Sequence, residues 1–208
     1  ALSDFGWGVW IYAPLTVLWV MGMMNTVNWL DGLDGLAAGV GAILCVVLAI
    51  HMRRVGQSSV ALLSLALLGA IVGFLPYNIA PARVFLGSGG TYFLGYVLSV
   101  LGLIAGGRVA TVLLVMGIPI VDVAWQIFDR VRHHRLPTQA DRGHLHLRLL
   151  DTGMPARTVV LIYWGLCVLF GWVALGVVSR LYKLMALGGL AAAVVAVLIW
   201  LSHSDDAT

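Results

Sequence analysis

Apolar residues run along this chain in long blocks, separated by short polar stretches that carry nearly all of its charge. Seven blocks stand out, roughly 9–30, 36–52, 58–76, 90–106, 109–127, 158–179 and 182–202. A bilayer core about 30 Å thick needs about 20 mostly apolar residues in a helix, so each block predicts a spanning helix. Little is left for a soluble domain. Seven spans place alternate connections on opposite sides of the membrane. Parity therefore groups residues 31–35, 77–89, 128–157 and the tail after 202 on one face, and every polar motif in the chain falls there. The expected fold is all-α: a polytopic membrane helix bundle of about seven transmembrane helices, with its motif-bearing loops together on the cytoplasmic face.

Composition strengthens that picture. The chain is 61% hydrophobic with a mean hydropathy of +1.00, and only 10% of its residues are charged, against roughly 25% in soluble domains. Its net charge of +3 is too small to suggest nucleic-acid binding. Arg83, Arg130, Arg132, Arg135, Arg142, Arg148 and Arg157 lie on the motif face, against Arg53, Arg54, Arg108, Arg180 and Lys183 opposite. That bias favours the cytoplasm for the motif face. Cys45 and Cys167 both sit inside apolar runs and imply no disulfide framework. The chain opens on ALSDFGWG, with Ala in place of Met and no signal-peptide pattern, so a fragment or a processed form is expected.

The polar exceptions within this apolar chain fall into three constellations. In NTVNWLDGLDGLAAG, residues 25–39, Asn25, Asn28 and Asp31 recur every three residues and share a helix face. Gly32 and Gly35 loosen the backbone, so that Asp31 and Asp34 converge on a ligand from a broken turn. A helix end capped by Asp and Gly is the plainer alternative. In FLPYNIAPARVFLGSGGTYFLGY, residues 74–96, two prolines and Asn78 interrupt the chain before Gly87-Ser88-Gly89-Gly90 leads into a helix expected to begin near Thr91. Such a start suits a phosphate or diphosphate, although it also occurs as a simple tight turn.

The third constellation, residues 128–157, holds six Arg and four His, enough positive charge to gather a nucleotide diphosphate or anionic headgroups. Within it, His144-Leu145-His146-Leu147-Arg148-Leu149 alternates with period two, which in an extended segment would turn both histidines and Arg148 to one side. A positive-inside loop with incidental histidines is the alternative. Asp122, in GIPIVDVAWQIFDR, is expected to pair with an Arg of the adjoining loop, Arg130 being nearest, in a structural role.

Taken in order, NTVNWLDGLDGLAAG, GFLPYNIAPARVFLGSGG, PIVDVAWQIFDR and ADRGHLHLRLLDTG resemble the polyprenyl-phosphate N-acetylhexosamine-1-phosphate transferases, over about residues 18–160. The resemblance implies a multi-pass enzyme of the inner (plasma) membrane with a cytoplasmic active site. Using Mg²⁺ or Mn²⁺, it would move N-acetylhexosamine-1-phosphate from a UDP-N-acetylhexosamine to a polyprenyl (undecaprenyl) phosphate and release UMP. This is the first membrane step of cell-envelope polysaccharide synthesis, carried out in the lipid bilayer without nucleic acid; a homodimer is one assembly this reading allows.

By the same resemblance Asp31, Asp34, His144 and His146 are the catalytic residues. Asn25, Asn28, Asn78, Phe85, Arg142 and Arg148 bind substrate, with Phe85 stacking on uracil, and Asp31 and Ser88 occupy metal positions. The D-R-x-H-x-H form is closer to the N-acetylglucosamine-1-phosphate branch than to the muramoyl-pentapeptide branch. Residues 1–208 are expected to form a single transmembrane transferase-like domain without the family's N-terminal helices.

Three departures from the family pattern bear on activity. Ser88 stands where the family carries a metal-binding Asp, and a neutral hydroxyl is a poorer Mg²⁺ ligand than a carboxylate. Leu147 replaces a third histidine. The family's upstream Asp-Asp pair has no counterpart before the first span. These departures support an alternative reading, a catalytically impaired membrane paralogue that binds nucleotide sugar or lipid phosphate. A channel or transporter is disfavoured, because the carboxylates gather at one face and the chain shows no internal symmetry.

Overall fold

A computed structural model describes residues 8–104, 109–132, 143–177 and 179–205. Among these residues the regular structure is entirely helical. Nine helices follow in order: α1 (Gly8–Leu30), α2 (Leu36–Arg54), α3 (Ser58–Asn78), α4 (Gly87–Ile104), α5 (Val109–Val115), α6 (Gly117–Arg132), α7 (Leu145–Asp151), α8 (Ala156–Gly176) and α9 (Arg180–Asp205). Six of them, α1, α2, α3, α4, α8 and α9, are long and apolar enough to cross a membrane. The protein is thus a multi-pass helical bundle, as the apolar blocks predict.

The fifth block departs from expectation. It is not one straight helix over 109–127: α5 and α6 meet at Met116 with a bend of 82°. Gly117 and Pro119 stand immediately after the break, and a proline cannot donate the backbone bond that would continue the preceding helix through it. Asp122 of α6 meets His144 at the start of α7, and α7 meets Gly32, so the bent pair ends at the same end of the bundle as the α1–α2 turn. The parity argument therefore survives the bend.

Helix α2 is the centre of the bundle and the most buried of the spans, packed against α3 on one side and α8 on the other. Small residues let its neighbours close in. A Cβ on Gly39 would fall 2.1 Å from Cε2 of Trp164, so the indole of α8 fills the space that the glycine leaves. A Cβ on Gly95 of α4 would lie 2.6 Å from the Cα of Met24 in α1. That backbone-to-backbone approach of α1 and α4 is the small-residue packing by which membrane helices associate without a hydrophobic driving force.

Two further helix boundaries differ from the sequence reading. The glycine-rich GSGG stretch is not a loop before a helix near Thr91 but the first turn of α4, entered through Gly87 at φ +64°. The segment 144–149 is not extended: only His144 keeps an extended backbone, as the residue capping α7, and Leu145 to Asp151 are helical. The helix ends at Gly153, φ +89°, whose N–H returns to the Leu150 carbonyl at 2.8 Å. This left-handed glycine stop precedes Pro155, which opens α8.

Candidate active site

The turn between α1 and α2, residues 31–35, is the hub on which the other motif segments converge. From α1, the Asn28 side-chain amide donates to Oγ1 of Thr91 at 2.8 Å, and that hydroxyl in turn donates to the Ser88 carbonyl at 3.0 Å. The first turn of α4 is thereby fixed to the end of α1. Ser88 itself is exposed. Asn25 is half-buried and donates to the Met21 carbonyl of its own helix at 2.8 Å.

Asp34 faces the α3–α4 connection, where Oδ2 accepts the Ala82 N–H at 2.9 Å. Asn78 is buried, with both ends of its amide engaged: Oδ1 accepts the Gly35 N–H at 3.2 Å and Nδ2 donates to the Val84 carbonyl at 3.0 Å. Asn78 thus shapes two backbone segments rather than offering a free amide. Phe85, two residues before α4, is 70% exposed and its ring is free to stack.

From the other side comes α7. Its His146 is 1% exposed, and Nε2 lies so near Gly32 that a Cβ there would approach it to 2.5 Å. The His146 ring is stacked on His144 (5.7 Å, 18°) and meets Tyr163 of α8 edge-on (6.3 Å, 84°). His144 also lies beside Trp29 of α1, at 5.7 Å. His146 therefore sits in a packed interface, not in open water. Burial lowers its pKa to about 4, with Asp122 opposing and His144 adding to the shift, so the ring is neutral at neutral pH. Neither of its ring nitrogens, nor Nη1 of buried-edge Arg148, has a hydrogen-bond partner within the protein. Buried polar atoms are normally paired, and the hydroxyl of Tyr163, whose ring meets His146, likewise has no partner within the protein.

Asp122 corrects a further expectation. Its partner is not Arg130 but the start of α7: Oδ2 lies 3.1 Å from Nδ1 of His144, and Oδ1 accepts the Leu145 N–H at 2.9 Å. Arg130 instead lies over the Trp29 ring, 5.6 Å from its centroid. Gln126, one turn after Asp122, donates to the Gly143 carbonyl, which also accepts Nε of Arg148 at 2.8 Å. Asp122, Gln126 and Arg130 recur every four residues and all are buried, so α6 presents one polar stripe inward. That spacing is visible in the sequence and could have pointed to the stripe. Arg142 lies outside the described residues.

Arg157 of α8 is a residue the motif reading did not single out. Its Nη2 donates to the Ala80 carbonyl at 3.0 Å, tying α8 to the α3–α4 connection. Beside it a cavity of about 440 Å³ opens among Gly32, Leu33, Asp34, Arg157, Leu161 and Trp164. A second hollow, about 500 Å³ and largely apolar, runs between α1 and α6 along Leu15, Leu18, Trp19, Val123 and Ile127.

Asp31 is the carboxylate most altered by this setting. Burial first, and the neighbouring Asp34 second, raise its pKa from an ordinary 3.8 to about 6. A group with a raised folded-state pKa holds its proton longer in the folded chain than in the unfolded one. The fold therefore loses stability as pH rises from about 4 through 6, while the ionised form needed to bind a cation or accept a proton is reached above about 6. Asp34→Asn keeps an oxygen for the Ala82 N–H and removes the repulsion. The expected result is an Asp31 midpoint below that of the wild type but still above 3.8, read by ¹³C NMR of aspartate-labelled protein.

Among the described residues no three His, Cys, Asp or Glu side chains are grouped as a metal cage. Magnesium does not require one: it commonly takes one or two carboxylates, completing its shell with water and substrate phosphate oxygens. Asp31 and Asp34, the second of which helps to raise the pKa of the first, offer carboxylates for that kind of site.

Helices long and apolar enough to cross a bilayer that gather an aspartate pair, a glycine-rich helix start and a histidine-capped helix at one end define a multi-pass membrane protein with a polar site at that end. The chain belongs to glycosyl transferase family 4, whose sequence profile matches residues 2–106. Among its relatives, a Bacillus subtilis protein named "Probable undecaprenyl-phosphate N-acetylglucosaminyl 1-phosphate transferase" is 35% identical over 161 residues, covering 74% of this chain and 45% of that protein. A Mycobacterium tuberculosis decaprenyl-phosphate N-acetylglucosaminephosphotransferase is 33% identical over 204 residues, 82% of this chain and 49% of that protein. A phospho-N-acetylmuramoyl-pentapeptide-transferase of Halalkalibacterium halodurans is 34% identical over 175 residues, 83% of this chain and 52% of that protein. The chain spans about half the length of the curated relatives it matches.

Proposed function

We propose that the protein transfers N-acetylhexosamine-1-phosphate from a UDP-N-acetylhexosamine to a polyprenyl phosphate and releases UMP. In this reaction an oxygen of the lipid phosphate forms a bond to the sugar-bearing phosphorus, and the bond from that phosphorus to the UMP oxygen breaks. Both reactants are anions, so the protein must bring like charges together and stabilise the charge that builds between them. The observation that carries the proposal is the contact of the turn 31–35 with segment 144–148, made by Gly32 and His146, whose two ring nitrogens have no partner within the protein.

The surroundings support the same reading. Phe85 offers an exposed ring for a base, and the apolar hollow between α1 and α6 suits a prenyl chain lying in the bilayer. The names of the relatives pair polyprenyl phosphates with N-acetylglucosamine phosphate. The excess of arginine on the site face favours the cytoplasm, and with it the inner membrane. Asp31 would hold Mg²⁺, with Asp34 and Ser88 as the further candidate ligands; bound there, it would supply neutralisation of the diphosphate. Asn28 and Asn78 fix the backbone around those groups, and Arg148 offers a free N–H to a phosphate oxygen.

The test is UMP release from UDP-N-acetylglucosamine by native membranes containing the protein, with undecaprenyl phosphate and Mg²⁺. Ser88→Asp should raise the rate by restoring an anionic ligand. Silence of both forms with several UDP-sugars would overturn the reading.

A further inference from the structure

The structure assigns Asp122 as the positioning residue of His144, fixing which ring nitrogen carries the proton. This inference rests on the function proposed above for its effect on turnover, but not for its geometry. A carboxylate only accepts hydrogen bonds. Oδ1 takes the Leu145 N–H at 2.9 Å, and Oδ2, 3.1 Å from Nδ1 of His144, therefore requires the proton on Nδ1. Nε2 is left as the ring's basic atom.

The surroundings hold this choice. The space shared by Asp122, His144, His146, Trp29, Pro119 and Val123 leaves no room for a water molecule, so no solvent competes for the carboxylate. Trp29 and His146 flank the imidazole at 5.7 Å each, and Gln126 anchors the preceding Gly143 carbonyl. One carboxylate from α6 thus sets both the start of α7 and the state of its capping histidine. A carboxylate behind a histidine is the arrangement by which metal and hydrolase sites fix tautomer and raise basicity.

Asp122→Asn separates the two roles. The amide oxygen keeps the Leu145 bond, while its NH₂ can only donate to Nδ1 and so moves the ring proton to Nε2. In ¹⁵N-histidine NMR of the protein in lipid nanodiscs, with His144→Gln used for assignment, the wild type should show His144 protonated at Nδ1 and the variant at Nε2. In native membranes the variant should lose on the order of 100-fold in kcat, with the UDP-sugar KM moving less than about threefold. In a His144→Ala background the same substitution should cost nothing more. A wild-type ring protonated at Nε2 would overturn the assignment without any variant. So would an unchanged kcat in Asp122→Asn, or an equal loss in the His144→Ala background, which would mark a purely structural role. An inactive wild type would instead contradict the proposed transfer reaction and leave the NMR result to decide the tautomer.

Discussion

Asp31→Asn is expected to lower sugar-phosphate transfer by about three orders of magnitude, roughly 4 kcal/mol of transition-state stabilisation. The substitution keeps the shape of the side chain but removes the charge that, in the proposed reaction, holds a cation or takes a proton. Folding should respond in the opposite direction. Burial and Asp34 both oppose ionisation of Asp31, so the neutral amide relieves a cost that the wild type bears at pH 7 and above. The two readouts are radiolabelled UMP release and thermal unfolding at pH 7.5. Activity should collapse while the melting temperature holds or rises, the pattern of a group kept for function at the expense of stability. A variant that loses both together would mark Asp31 as a structural cap.

The second large effect concerns Gly32. A Cβ at this position would meet Nε2 of His146 at 2.5 Å, and His146 has little freedom to retreat, being stacked on His144 and edge-on to Tyr163. Gly32→Val should push α7 away from the turn. The expected destabilisation is about 1–3 kcal/mol, the usual cost of overpacking. Transfer should fall on the order of 100-fold, since a misplacement of about 1 Å in a positioning element has that scale of effect. Gly69→Ala in α3 is the control: its Cβ meets nothing within 4 Å, and activity should be unchanged.

Much of this architecture is legible in the chain because the bilayer imposes a length on every apolar run. The block at 9–30 becomes α1 over Gly8–Leu30, and the block at 36–52 becomes α2 over Leu36–Arg54. The break at Met116 was harder to read. Residues on both sides are apolar, and the only local signal is Gly117 and Pro119 just beyond it. The alternation in HLHLRL misled for a different reason. Six residues with Leu145 and Leu149 four apart satisfy a helix as well as a strand, and the carboxylate that decides the matter arrives from α6.

The site was legible as a set of motifs but not as a division of labour. Asp31 and Asp34 lie in the turn whose Gly32 meets His146, on the one face where the parity of the spans groups these segments. Asn78, expected to contact a nucleoside, spends its amide on two backbone groups. Asp122 serves His144 rather than an arginine, and Arg157 enters beside Asp34 from α8. Each of these depends on contacts between segments far apart in the chain, which residue types and local spacing do not encode.

The most direct measurement of the central claim is a cryo-EM structure of the protein with UDP-N-acetylglucosamine and Mg²⁺ in nanodiscs. The expected density places the diphosphate between Asp31 and the start of α7, with the base against Phe85. Nucleotide density elsewhere in the protein, or the Asp31 turn and α7 found on opposite sides of the bilayer, would contradict it.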